Sequence, residues 1–64
     1  MNAAAFNRWL AAMKLAGLGK SDAACARLLG ITPNGLLGMK ANGTDRRTAL
    51  ACSALLHGLS PYES

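Results

Sequence analysis

The sequence predicts an all-α fold, arranged as one compact domain of four short helices. Ala and Leu dominate the 64 residues, while valine is absent and isoleucine occurs once, a composition that favours helices over strands. Residues that cap or stop helices divide the chain into four segments of helical length. Because so short a chain holds no more than one domain, we treat residues 1–64 as a single unit.

The first two segments, about residues 2–16 and 21–29, are stopped by Gly17 and Gly30. Ser21 is a good N-cap for the second segment. In the first segment, large apolar side chains follow the i, i+3, i+4, i+7 spacing of one buried helix face. These side chains are Phe6, Trp9, Leu10 and Met13.

The third segment, about residues 32–41, begins with Thr32-Pro33. The two residues indicate the same helix start. A residue that precedes proline is held in an extended conformation, and an N-cap residue is extended as well. The fourth segment, about residues 45–57, takes Thr44 or Asp45 as its cap.

The chain is basic, with a net charge of +4 and a pI of about 9.7. A small basic domain suggests a polyanionic partner, either a nucleic acid or a membrane surface. A surplus of lysine and arginine that serves only solubility is the alternative at this point.

Residues with catalytic or metal-binding chemistry are scarce. Cys25 and Cys52 stand far apart and are best explained as small buried apolar residues. His57 is the one histidine, and the three acidic residues have no spacing that suits catalysis. We therefore expect a protein that is not an enzyme and that binds no metal, cofactor or small-molecule ligand.

The N-terminal apolar stretch is interrupted by Lys14 and Lys20, so no transmembrane segment is expected. The positive n-region of a signal peptide is missing as well. These observations predict a cytoplasmic protein.

The most informative stretch is Ser21–Lys40, which predicts a helix of about two turns, a three-residue break and a second short helix. Such a break turns the chain so that the two helices pack at roughly 90–120°. The crossing requires a small residue, which Ala26 supplies, and the turn requires tolerance of positive φ, which Gly30 supplies. Three apolar residues can then hold the second helix inward: Ile31, Leu36 and Met39.

This pattern resembles the Cro/repressor class of helix-turn-helix domains. That class places an alanine four residues before the turn glycine and hydrophobic residues one, six and nine residues after it, which is the spacing from Ala26 to Met39. The resemblance covers residues 4–57, although the fifth helix of many members is missing. It implies a sequence-specific regulator of the small phage or bacterial type, in a bacterial cell or a phage-infected host. Such a protein binds double-stranded DNA, typically as a homodimeric repressor on an inverted repeat.

The outward stripe of the third segment should face the bases, and it consists of Asn34, Leu37, Gly38 and Ala41. Asn34 either bonds to adenine or is a solvated residue at the helix start. Leu37 either contacts a thymine methyl group or packs at the edge of the core. Gly35 and Gly38 each weaken the helix by about 1 kcal/mol relative to alanine. These glycines indicate either close packing against the second segment or close approach of the backbone to DNA. Because the outward stripe has few hydrogen-bonding side chains, we expect DNA shape to carry part of the specificity.

Arg46 and Arg47 lie in the first turn of the fourth segment, where cations oppose the helix dipole. A helix N-terminus and two guanidinium groups together would form a phosphate site. The alternative is that the two arginines belong to a solvated polar loop. The resemblance also implies that Ser21 and its backbone amide face a phosphate at the start of the second segment, although Asp22 beside it opposes that contact. The full predicted DNA-binding set is Ser21, Thr32, Pro33, Asn34, Gly35, Leu37, Gly38, Lys40, Asn42, Thr44, Arg46 and Arg47.

The end of the chain carries more apolar surface than a small core needs, in Leu55, Leu59 and Tyr62. We expect these residues to form a two-fold contact, with coverage of the Trp9 face within one chain as the alternative. Two rival functions also stand beside DNA binding. One is a protein-interaction module, such as an antirepressor or adaptor, and the other is membrane association through an amphipathic first segment.

Overall fold

A computed structural model describes residues 1–60 and 62, and this part of the chain is all-α. Its four helices are α1 (Ala3–Leu15), α2 (Asp22–Leu29), α3 (Pro33–Asn42) and α4 (Arg46–Leu56). The predicted segments match these helices closely and differ mainly because they included the cap residues. The helix stop expected at Pro61 lies outside the described residues.

Every helix begins at a side-chain N-cap. The Thr32 hydroxyl oxygen accepts a hydrogen bond from Gly35 N at 3.1 Å, and the Asp45 carboxylate accepts one from Thr48 N at 2.8 Å. Asp45 is therefore the cap of α4, which decides between the two predicted candidates. The other two caps are Asn2 for α1 and Ser21 for α2. Because these caps satisfy backbone N–H groups that the helix leaves unpaired, they fix where each helix starts.

The core is built on one face of α1, as its spacing predicts. All four apolar residues of that face are buried, and the Phe6 and Trp9 rings stack with centroids 5.6 Å apart. The other buried hydrophobic residues come from the remaining three helices, and they are Cys25, Ala26, Leu36 and Cys52. Trp9 is 5% exposed, so its indole is not available on an outer face of α1.

The loop before α4 is tied to the start of the chain. Thr44 N donates a 2.7 Å hydrogen bond to the Met1 carbonyl, and the Met1 ammonium donates a 3.1 Å bond to the Thr44 carbonyl. Gly43 makes this approach possible: its φ is +87°, and a Cβ there would lie 2.5 Å from the Met1 carbonyl oxygen. The position of α4 relative to α3 therefore depends on this glycine.

Several large apolar side chains remain on the surface, including Leu15 at 92% exposure and Leu37 at 60%. They are distributed over all four helices and the segments that follow α1 and α4. Across the described part of the chain, no helix has the length and apolar character needed to cross a membrane.

Candidate nucleic-acid interface

The central feature is a sharp turn between α2, which has eight residues, and α3, which has ten. Gly30 adopts the left-handed conformation, with φ 73° and ψ 31°. Its N–H donates to the Arg27 carbonyl at 3.1 Å, and Ile31 N–H donates to the Ala26 carbonyl at 3.0 Å. Ala26 is 2% exposed, as expected for a small residue at a helix crossing. The turn predicted from the sequence is confirmed, with its glycine in the conformation that the spacing requires.

The outward stripe of α3 stands clear of the core. Leu36 is 3% exposed and Met39 packs partly against the core, whereas the predicted outward residues are all exposed. Leu37 is 60% exposed and does not belong to the core cluster, so the interpretation that it packs at the edge of the core is wrong. The face that α3 presents is therefore uncharged, and Asn34 is its one exposed amide in the first turn.

The two helical glycines do not pack against α2. A Cβ added at Gly38 would meet nothing within 4 Å. At Gly35 it would make only ordinary contacts, at 3.4 Å from the Thr32 hydroxyl oxygen and 3.8 Å from Ile31 Cβ. Close packing against α2 is thus the wrong explanation for these glycines, and Gly38 has no structural requirement for glycine.

The starts of α2 and α3 are exposed and already capped. The Ser21 hydroxyl accepts a 3.1 Å hydrogen bond from Ala24 N, which leaves its proton free to donate to an acceptor such as a phosphate oxygen. Thr32 is in the same state, because its hydroxyl accepts from Gly35 N. Pro33 is exposed at the first position of α3 and has no N–H to donate.

Arg46 and Arg47 are the first two residues of α4, as predicted, and both are exposed. The Arg47 guanidinium lies 3.6 Å from the Asp45 carboxylate, and its side chain is 95% exposed. Hydrogen bonds from Thr48 lower the pKa of Asp45, and the nearby Arg47 lowers it further. Arg47 also borders an open groove of about 500 Å³ that reaches Gly30, so this cation stands beside the turn of the motif.

The loop residues between α3 and α4 differ in what they can offer. Asn42 is exposed at the last position of α3. Thr44 is half-buried, its N–H bonds to Met1, and its hydroxyl donates to the Asp45 carbonyl at 3.1 Å. Both donors of Thr44 are therefore engaged within the chain, and a phosphate contact from this residue requires its hydroxyl to change partner.

Lys40 makes a contact that sequence reasoning missed. Its Nζ lies 2.9 Å from Asp22 Oδ2, while Lys14 Nζ lies 2.8 Å from Asp22 Oδ1. We call these three side chains the lysine–aspartate cluster. Hydrogen bonds from Lys14 and Lys40 lower the pKa of Asp22, and the bond to Asp22 raises the pKa of Lys14. The one available signal was that both lysines lie in the last turn of a helix and the aspartate in the first.

The three residues predicted to form a two-fold contact do not behave alike. Leu55 packs partly against the core, whereas Leu59 is 61% exposed and Tyr62 is 93% exposed. The alternative, that these residues cover the Trp9 face within one chain, is therefore wrong for Leu59 and Tyr62, whereas Leu55 does pack against the core that contains Trp9. Leu59 and Leu28 both line a small apolar groove of about 240 Å³ between α2 and α4.

The described residues thus combine a glycine turn, an exposed and uncharged face of α3 and a guanidinium beside that turn. Two further cations, Lys14 and Lys40, are held by Asp22 at the start of α2. Comparison with known families, curated proteins and solved structures finds nothing that matches this chain, whether a family model, a protein or a structure.

Proposed function

We propose that this protein is a sequence-specific regulator that binds double-stranded DNA by placing α3 in the major groove. The observation that carries the proposal is the α2–Gly30–α3 turn, which holds the core side of α3 inward and leaves Asn34, Leu37 and Gly38 exposed. The net charge of +4 supports a polyanionic partner. A short helix with exposed residues on the outer face of its N-terminal half matches the way in which such motifs contact base edges.

Two exposed side chains on α3 indicate which bases the helix contacts. Asn34 and Leu37 lie three residues apart and therefore on the same helix face. An asparagine amide bonds bidentately to adenine, and an apolar side chain contacts the thymine methyl group. We therefore propose that each half-site contains A·T pairs under the first two turns of α3. Gly38 lets the helix backbone approach the duplex, and DNA shape supplies the remaining specificity.

The DNA backbone is held in this proposal by helix N-termini and cations around α3. Arg46 and Arg47 contribute exposed guanidinium groups and Asn42 an exposed amide. Ser21, Thr32 and Pro33 line the starts of α2 and α3, and Gly35 lies in the first turn of α3. Lys40 joins this set only when it releases the Asp22 carboxylate, and Thr44 only when its hydroxyl releases the Asp45 carbonyl.

A homodimer on an inverted repeat completes the proposal. One helix in one groove gives limited affinity, and two copies place their α3 helices about 34–36 Å apart, one turn of the duplex. Leu59 and Tyr62 supply exposed apolar surface for the contact, and Leu55 lies at the edge of the core. By analogy with small regulators of the Cro/repressor class, we propose that the protein represses transcription in the bacterial cytoplasm by occluding a promoter.

Selection of bound duplexes from a random pool tests binding, symmetry and spacing together. We expect an enriched site with two A·T-containing half-sites in inverted order, and an affinity that falls steeply as salt rises. Titration of the winning duplex by fluorescence anisotropy at several salt concentrations then gives the number of phosphate contacts. A pool that shows no enrichment, with no salt-sensitive binding to any duplex, overturns the proposal.

A protein-interaction module is the second candidate, and a specific observation favours it. The exposed face of α3 carries no charge, Leu37 on it is 60% exposed, and a small apolar groove lies between α2 and α4. The selection experiment separates the two functions, because a protein-binding module leaves the duplex pool unenriched.

A further inference from the structure

The lysine–aspartate cluster joins three helices at one point. Lys14 comes from the last turn of α1, Asp22 is the first residue of α2, and Lys40 comes from the last turn of α3. The side chains of Lys14, Asp22 and Lys40 are 45%, 34% and 36% exposed, so the cluster is open to water on one side, although the Asp22 Oδ1 atom itself is buried. An anion from solution can therefore reach both lysines.

The charge state of the cluster is fixed at neutral pH. The hydrogen bonds from the two lysines lower the pKa of Asp22, so its carboxylate stays ionised. The cluster is then cation–anion–cation, with one net positive charge from two lysines. One of the two cations is in effect cancelled by a carboxylate of the same chain.

The cluster also borders the proposed DNA face. Lys40 follows Leu37 by three residues on α3, and Asp22 follows the exposed cap Ser21. A duplex that receives α3 in its major groove brings its phosphates to the start of α2, where this carboxylate already lies.

We propose that Asp22 is an intramolecular competitor of the DNA backbone, whose carboxylate occupies the anion position between Lys14 and Lys40. This inference rests on the proposed function and adds a residue that limits the affinity of the same face for DNA. Asp22 contacts no base in this arrangement, so it weakens binding to all sequences equally. Binding of the protein to a DNA site then depends more on the contacts that α3 makes and less on charge alone.

The isosteric variant Asp22→Asn tests this role. We expect it to bind a random-sequence duplex roughly threefold to tenfold more tightly at low salt, with a salt slope steeper by about one unit. We also expect it to melt at a lower temperature than the wild type, because both ion pairs are lost. A purely structural role predicts that stability and affinity fall together, so opposite directions distinguish the two.

Ser53→Lys is the matched control, because it raises the net charge by the same amount at an exposed position on α4. Its affinity for the same duplex should change by about twofold or less, since screening weakens distant charges. Equal effects of the two variants, or an Asp22→Asn variant that binds no more tightly than wild type, overturn the inference.

A second measurement does not need DNA. Sulfate, compared with chloride at equal ionic strength, should raise the melting temperature of Asp22→Asn more than that of the wild type, because the freed lysines bind the dianion. If no variant binds a duplex, the proposed function has failed, and the sulfate response alone then decides whether the cluster is an anion site. An identical response of both proteins counts against it.

Discussion

The indole Nε1 of Trp9 donates a 2.8 Å hydrogen bond to the backbone carbonyl of Cys52. This bond is buried and joins α1 to α4 across residues that are far apart in sequence. It fixes the orientation of the largest core side chain, and with it the face on which the other three helices pack.

Trp9→Phe should lower the free energy of unfolding by about 1–2 kcal/mol, because it removes this bond and part of the ring volume. Urea denaturation followed by circular dichroism measures the change. Leu50→Ala provides the control, since Leu50 is 62% exposed and its loss should leave stability nearly unchanged. A Trp9→Phe variant as stable as the wild type would contradict the importance of the bond.

Gly38→Ala should stabilise the fold by about 1 kcal/mol, because alanine is the better helix former and a Cβ there meets open space. If the α3 backbone approaches DNA at this position, the same variant should bind the selected duplex more weakly. Thermal melting and anisotropy titration on one protein sample give both values. Unchanged duplex affinity in the stabilised variant would show that Gly38 is not near the DNA.

Gly43→Ala should act in the opposite direction on stability. The residue has φ +87°, and an added Cβ would lie 2.5 Å from the Met1 carbonyl oxygen, which is a backbone atom with little freedom to move. We expect a lower melting temperature and weaker protection of the Thr44 amide, whose hydrogen bond to Met1 is lost. Hydrogen exchange monitored by NMR tests this, and an unperturbed Thr44 amide would argue against it.

Arg46→Ala and Arg47→Ala should each weaken binding to all duplexes alike and flatten the salt slope by about one unit. Arg8→Ala is the matched control, because Arg8 is exposed on α1 and makes no ion pair within the described residues. Asn34→Ala should instead cost about 1–3 kcal/mol at one base position and relax the preference there. A uniform loss from Asn34→Ala, or a position-specific loss from the arginine variants, would reverse these roles.

Acid should destabilise the fold through Asp22 and Asp45. Both have a pKa below the ordinary value of 3.8, Asp22 because the two lysines bond to it and Asp45 because Thr48 does. A pKa that is lower in the folded state contributes stability above the unfolded value, and that contribution disappears as the pH falls through the folded one. Melting curves between about pH 6 and pH 2 should therefore show a loss concentrated below pH 4, smaller in Asp22→Asn.

How far the sequence determines the fold can be judged from particular residues. The caps Ser21, Thr32 and Asp45 and the turn at Gly30 are local features, and each was predictable because its partners lie within a few residues. The buried face of α1 was predictable for the same reason, since its spacing alone defines a helix side.

The candidate site was predicted less completely, because its electrostatics depend on which helix ends converge. Nothing in the spacing of Lys14, Asp22 and Lys40 indicates that they meet, since the contact arises only after three helices pack together. The pairing of Thr44 with Met1 is likewise a long-range contact. The exposure of Leu37 depends on how much of α3 the small core covers, which the periodicity of α3 does not determine.

The open surroundings of Gly38 have a consequence for how this protein can change. Side chains on the outer half of α3 take no part in the core, so they can be exchanged without disturbing the residues that keep the helix in place. If α3 contacts DNA as we propose, the residues that recognise the target are separate from the residues that form the core. New targets are then accessible through a few substitutions on one helix, and a library randomised at the exposed α3 positions would start from a scaffold that remains folded.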